Sequence, residues 1–92
     1  MTRLVNANYT ATHDDFYLGV EASGPITITL PECEDGKQYI IKSEMKPPIL
    51  NRRIRIVGAD GSKIDGYSDH IISVSHDCLW LIRHNGNWFI LH

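Results

Sequence analysis

Ninety-two residues, 42% hydrophobic and 22% charged, describe a chain that folds as one domain: too short for a second core and too apolar to stay disordered. Nine Lys and Arg against eleven Asp and Glu leave a net charge of −2, so no broad positive field exists to hold a phosphate backbone, and nucleic acid is not an expected partner. The longest apolar run is Cys78 to Ile82, far short of the about 20 residues of a membrane span, and no basic-then-apolar leader opens the chain; neither a bilayer anchor nor a signal peptide is expected.

Twelve Ile and four Val stand against four Ala. β-Branched side chains suit a pleated sheet and lose freedom in a helix, so this is a strand composition. Alternation at period two dominates, and no helical spacing persists for three turns.

In chain order, Leu4 to Tyr9 is a candidate first strand, and residues 1–8 also read as a connecting segment. His13 to Asp15 form a polar turn, after which Phe16, Leu18 and Val20 alternate with Tyr17, Gly19 and Glu21 in a second strand. Ser23-Gly24-Pro25 breaks it. Ile26 to Leu30 alternates inward Ile or Leu with outward Thr, and Pro31 ends it. Asp35-Gly36 turns the chain into a strand over Gln38 to Lys42. Pro47 and Pro48 exclude both helix and ladder, which makes residues 43–51 a surface excursion.

Arg53 to Val57 is the next strand, with Arg53 and Arg55 on its solvated face. Lys63 to Gly66 is a very short edge strand between two turns. Ile71 to Ser75 and Cys78 to Arg83 are strands separated by His76-Asp77, and Asn85-Gly86 is a hairpin turn leading to Trp88 to Leu91. Eight to nine short strands at this spacing predict an all-β domain spanning residues 1–92, a small antiparallel β-sandwich or jelly-roll-like fold.

The last hairpin says more than fold. Between Cys78 and Ile82, and again from Trp88 to Leu91, both faces of the strand are apolar, yet a two-layer domain covers one side only. Trp80, Ile82, Trp88 and Ile90 are therefore expected at an oligomer interface, the competing reading being that the 43–51 loop covers them.

The order of segments carries a resemblance. Asp15-Phe16-Tyr17, Ile26 to Pro31, Gly36 to Lys42, Ile54 to Gly58, Ile64-Asp65-Gly66 and Asn85 to Ile90 together resemble a small trimeric β domain of tailed-phage and other viral tail-fibre and tail-spike proteins, across residues 6–91. The resemblance implies a homotrimeric virion component, made in the host cytoplasm and extracellular when acting, whose partners are copies of itself, other tail or fibre proteins and a host-cell receptor such as a glycan. The Lys46 to Arg53 loop with its double Pro departs from the pattern.

No residue set points to catalysis, and no cofactor is expected. Ser75-His76-Asp77 holds the residue types of a hydrolase triad, but neighbours in sequence do not converge on one atom; Asp14-Asp15 reads as a turn start. Cys33 and Cys78 form no zinc or redox motif and read as buried free thiols. Asp60 to Gly66 lacks the ligand pattern of a calcium loop. Some fibres hold metal on an axial His-x-His, which this chain lacks; His84 and His92 are the residues a threefold axis could gather, and no metal site is assigned. Tyr67, Asp69 and His70, with Ser68, offer the aromatic-plus-polar mixture of a receptor site on a loop. The alternative function is a monomeric carbohydrate-binding module of a cellular enzyme or adhesin.

Overall fold

The computed structural model describes residues 1–49 and 51–92; Leu50, part of the expected 43–51 excursion, lies outside the described residues. Among these there is no helix, and nine strands form: β1 Thr2–Val5, β2 Tyr9–Thr10, β3 Tyr17–Val20, β4 Ile26–Leu30, β5 Gln38–Ser43, β6 Ile54–Gly58, β7 Asp69–Ile72, β8 Cys78–His84 and β9 Asn87–Ile90. Lys63 to Gly66 does not make a strand. Ile64 there forms isolated bridges to Tyr67 and Trp88.

The strands divide between a five-stranded sheet, β1-β3-β5-β8-β9, and a four-stranded sheet, β2-β4-β6-β7. From β1 to β6 the chain changes sheet at every connection, so each strand returns beside the one laid down two elements earlier and runs parallel to it. Only the last three strands reverse, β7 against β6, β8 against β5 and β9 against β8.

The expectation of an antiparallel sandwich or jelly roll is corrected by these four parallel pairings. Strands with one solvated face are the usual mark of antiparallel sheets. Here a coiled path gives parallel strands the same pattern, because each sheet lies against only one partner layer.

The alternation then does what the composition demands. Leu18, Val20, Ile28, Leu30, Ile41, Ile54, Ile56 and Leu81 point between the sheets and are almost fully buried. Trp88 is 0% exposed, its ring centroid 5.7 Å from that of Tyr39. The 43–51 segment contributes too: Met45 and Ile49 are buried, and Arg52 Nη2 donates to the carbonyls of Lys46 (2.7 Å) and Pro48 (2.8 Å). That loop is thus anchored to the core at two side chains, where a surface excursion was expected.

Several turns use the left-handed backbone, the last hairpin and the turn into β5 among them. Asn85 and Gly86 have φ of 54° and 75°, the geometry that matches a two-residue hairpin to strand twist. Gly36, with φ of 96°, turns the chain into β5. Asp35 accepts the amide protons of the hairpin turn, Asn85 at 2.9 Å and Gly86 at 3.4 Å, which joins the 31–37 loop to the last hairpin.

Replacing Trp88 by Ala should cost about 3–5 kcal/mol, since the cavity opens at a fully enclosed site. Trp80→Ala, at an exposed position, should cost under half as much. Chemical denaturation of the two variants checks the contrast.

Candidate functional site

The nearest thing to a chemical centre is the corner between β2 and β3. Asp15 is completely buried and its carboxylate accepts four hydrogen bonds: from Arg3 Nε (3.0 Å), Tyr9 Oη (2.6 Å), the Thr12 amide (2.9 Å) and Thr12 Oγ1 (3.2 Å). Tyr39 Oη donates to the Thr12 carbonyl at 2.7 Å. Lys37 Nζ donates to the carbonyls of His13 (2.9 Å) and Asp15 (2.8 Å) while lying 4.7 Å above the Tyr39 ring. Arg3, Tyr9, Lys37 and Tyr39 tie this turn to neighbouring strands, while Thr12 closes the turn itself. The network is a structural clasp, and Asp14 takes no part in it.

A second buried charge sits near the C-terminal end of β8, where the Arg83 amide donates to the Lys37 carbonyl at 2.8 Å. Arg83 Nη2 donates to Asp60 Oδ2 at 2.7 Å, and the guanidinium lies 5.5 Å from the Trp88 ring. Its Nε and Nη1 have no hydrogen-bond partner among the described residues.

Ser75 and His76 lie closer than the sequence implies: Oγ and Nδ1 are 2.9 Å apart, with His76 at a φ of 62°. The expectation that adjacent residues face apart does not hold for this pair. Ser75 Oγ donates its proton to the Met45 carbonyl, however, and Asp77 accepts the Cys78 amide proton at 2.9 Å and does not orient the imidazole. The arrangement pins the turn between β7 and β8 to the 43–51 loop. Cys33 and Cys78 are free and half-buried, not enclosed. Among the described residues no three His, Cys, Asp or Glu gather in a metal-binding group, and no helix is long and apolar enough to cross a membrane.

There remain the two outer faces. On the five-stranded sheet, register places Tyr17, Ile40 and Trp80 in one row across β3, β5 and β8, and Gln38, Ile82 and Phe89 in the next across β5, β8 and β9. Trp80 is 38% exposed, Phe89 41% and Leu91, just past β9, 50%. Trp80 Nε1 donates to Gln38 Oε1 at 2.8 Å, which holds the indole across the sheet surface. Among the described residues, these exposures leave the hairpin's outer side uncovered by the 43–51 loop.

Of the four expected interface residues, Trp80 and Ile82 belong to this face. Trp88 and Ile90 do not: β9 turns them inward, Trp88 into the core and Ile90 against it. The strand parity is the reason, because Leu81 pairs with Ile90 and Arg83 with Trp88, all on the inner side. Phe89 and Leu91, which sequence reading passed over, take their place. The signal was present, since two residues apart on a strand means one face.

The outer face of the four-stranded sheet is polar. Thr27, Arg55 and Ile71 form one row across β4, β6 and β7, and Thr29, Val57 and Asp69 the next. Asp69 is held by Arg55 Nε at 2.8 Å, Tyr67 is 73% exposed on the turn before β7, and His70 is half-buried on the other side of that strand, opposite Ile56. The structure therefore does not bring Tyr67, Asp69 and His70 to one surface. No family model matches this chain and no curated protein matches it.

The buried charges make stability depend on pH and on keeping both partners of each pair. Asp60 is held well below the ordinary carboxylate value of about 3.9 by its bond from Arg83. Burial pushes Asp15 up, but the bonds from Tyr9, Thr12 and Arg3 outweigh it and the net shift is downward; Asp35 is lowered by the Asn85 and Gly86 amides. Groups lowered in the folded state stabilise it above about pH 4, and that contribution drains away as pH falls through their folded values. Unfolding free energy should thus be flat from about pH 7 to 5 and fall steeply below about 4, with Asp60→Asn flattening the acid limb in pH-dependent denaturation. At neutral pH, Asp60→Ala should cost about 3 kcal/mol because it strands a buried guanidinium, and Arg83→Met should cost less because Asp60 is partly solvated.

Proposed function

We propose that this chain is a non-enzymatic structural domain of a viral tail fibre or tail spike, which assembles as a homotrimer through the outer face of its five-stranded sheet and serves host-cell attachment. The observation that carries the proposal is the face itself. Tyr17, Ile40, Trp80, Ile82 and Phe89 form an apolar band across four strands, bordered by Lys42 in the next row and by the Glu44 carboxylate, which accepts from Tyr17 Oη at 2.6 Å; the outer rows of the other sheet set only Val57 and Ile71 among Thr27, Thr29, Arg55 and Asp69.

An apolar area on the order of several hundred Å² left in water is a standing cost, and association of identical copies removes it. Around a threefold axis the three sheets meet at Trp80 and Phe89, and the polar four-stranded sheets turn outward, where a receptor can reach them. Association also stabilises a fold whose own core is thin. The sequence resemblance to fibre and spike domains supports the same reading, and with it a place beside other tail or fibre proteins on the virion.

Native mass measurement tests it. One species of about three times the 10.5 kDa chain mass is expected, and Trp80→Asp should shift it to the single-chain mass with an unchanged far-ultraviolet circular dichroism spectrum. A wild type that stays at the single-chain mass, or a Trp80→Asp variant that remains fully assembled, overturns the assembly. A single-chain species whose Trp fluorescence responds to saccharides would instead fit a monomeric carbohydrate-binding module.

A further inference from the structure

The outer face of the four-stranded sheet carries a shallow cavity of about 470 Å³, whose lining includes Asn8, Pro25, Thr27, Arg53, Arg55 and Ile71. We infer that this cavity binds the anionic group of an acidic saccharide, a sugar unit bearing a carboxylate or sulfate. The inference deepens the attachment reading and rests on it for its biological meaning.

The cavity's chemistry is one-sided. Arg53 is exposed and has no ion pair among the described residues. Arg55 gives only its Nε to Asp69, which leaves both terminal nitrogens of the guanidinium uncommitted. Asn8 Oδ1 accepts the Thr27 amide proton at 2.8 Å, so the amide oxygen is identified by its donor and the NH₂ group is the part left to bind. No carboxylate lines the cavity: Asp69 stands outside it and already holds Arg55. A chain of net charge −2 has gathered here two guanidinium groups, an amide donor and a hydroxyl, with no carboxylate in the lining to answer them.

The third arginine of the cluster marks the contrast. Arg52 is consumed in bracing the 43–51 loop through two carbonyls, whereas Arg53, just before β6, and Arg55, on the outer face of β6, are not. Forked guanidinium donors suit a planar carboxylate or a sulfate better than a point charge does. Two cations are too few to hold a nucleic-acid backbone, but they suffice for one sugar acid. The volume lies within the range of small-ligand sites, and Pro25 and Ile71 offer apolar contact for the C–H face of a ring. No aromatic side chain is in the lining, so stacking cannot hold a neutral sugar, and selectivity has to come from charge. In the proposed trimer the cavity lies on the sheet turned away from the axis, and three copies would bind a glycan surface with a multivalent gain.

The test is a titration of the full chain, followed by amide chemical shifts, with trigalacturonate, a sulfated trisaccharide, their neutral counterparts and inorganic sulfate. Expected are saturable shifts centred on Asn8, Thr27, Arg53, Arg55 and Ile71 with an acidic saccharide, a loss of at least about tenfold in affinity with the neutral ones, and a similar loss in Arg53→Ala, whose side chain is exposed and forms no ion pair among the described residues. Which of the two acidic probes binds identifies the anionic group. Shifts elsewhere, equal binding of neutral sugars, undiminished binding by Arg53→Ala, or binding of sulfate as tight as that of the saccharides would each overturn the inference. An assembled protein that attaches to host cells but shows no such titration sinks the cavity alone; a single-chain protein that titrates as expected keeps the cavity and sinks the fibre reading.

Discussion

Everything in this molecule depends on two short sheets closing over each other. Strands of two to seven residues are too small to stand in water by themselves, and neither a two-residue β2 nor a four-residue β1 has a hydrophobic face worth burying alone. The side chains of Leu18, Ile28, Ile41, Ile54, Ile56 and Leu81 fill the space between the layers and remove both inner faces from solvent together. Because the chain alternates between layers, every added coil extends both sheets at once, and the core grows as a stack.

That growth creates two weak points, and a buried charge sits at each. The first coil is held by few ladder bonds, so the Asp15 carboxylate gathers Arg3, Tyr9 and Thr12 around it and fastens β1 and β2 to the start of β3. Where the coil path stops and the chain reverses, Arg83 reaches from β8 to Asp60 beyond β6 and joins the two sheets. Such groups are costly to bury and worse to leave unpartnered, which makes them sensitive to acid and to substitution of one partner.

Under the proposed function the two outer faces divide the work. One carries an apolar band across four strands, bordered by Lys42 and Glu44, and is the face proposed for a second copy of the chain; the other is mostly polar and carries the donor-lined cavity proposed for an acidic saccharide. A sandwich presents these faces back to back, so self-association through one leaves the other fully open. Fibre assembly and receptor contact, on this reading, need no compromise within the same surface.

Local physics was legible in the residue order. The alternation Ile26 to Leu30, the breakers at Pro25 and Pro31, the Asn85-Gly86 turn and the all-β class arise from side-chain sterics and backbone freedom within a few residues, and the structure keeps each of them. The apolar hairpin with two greasy sides was readable as well, down to Trp80 and Ile82. Direction and side were left to the tertiary structure. Parallel and antiparallel strands of this length carry the same alternating pattern, and only the path of the connections distinguishes them. Trp88 and Trp80 are equally apolar in sequence; the pairing of β8 with β9 sends one inward and the other out. The donor-lined cavity was invisible for the same reason: Asn8, Thr27, Arg55 and Ile71 are scattered along the chain and become neighbours only when four strands are laid side by side in register.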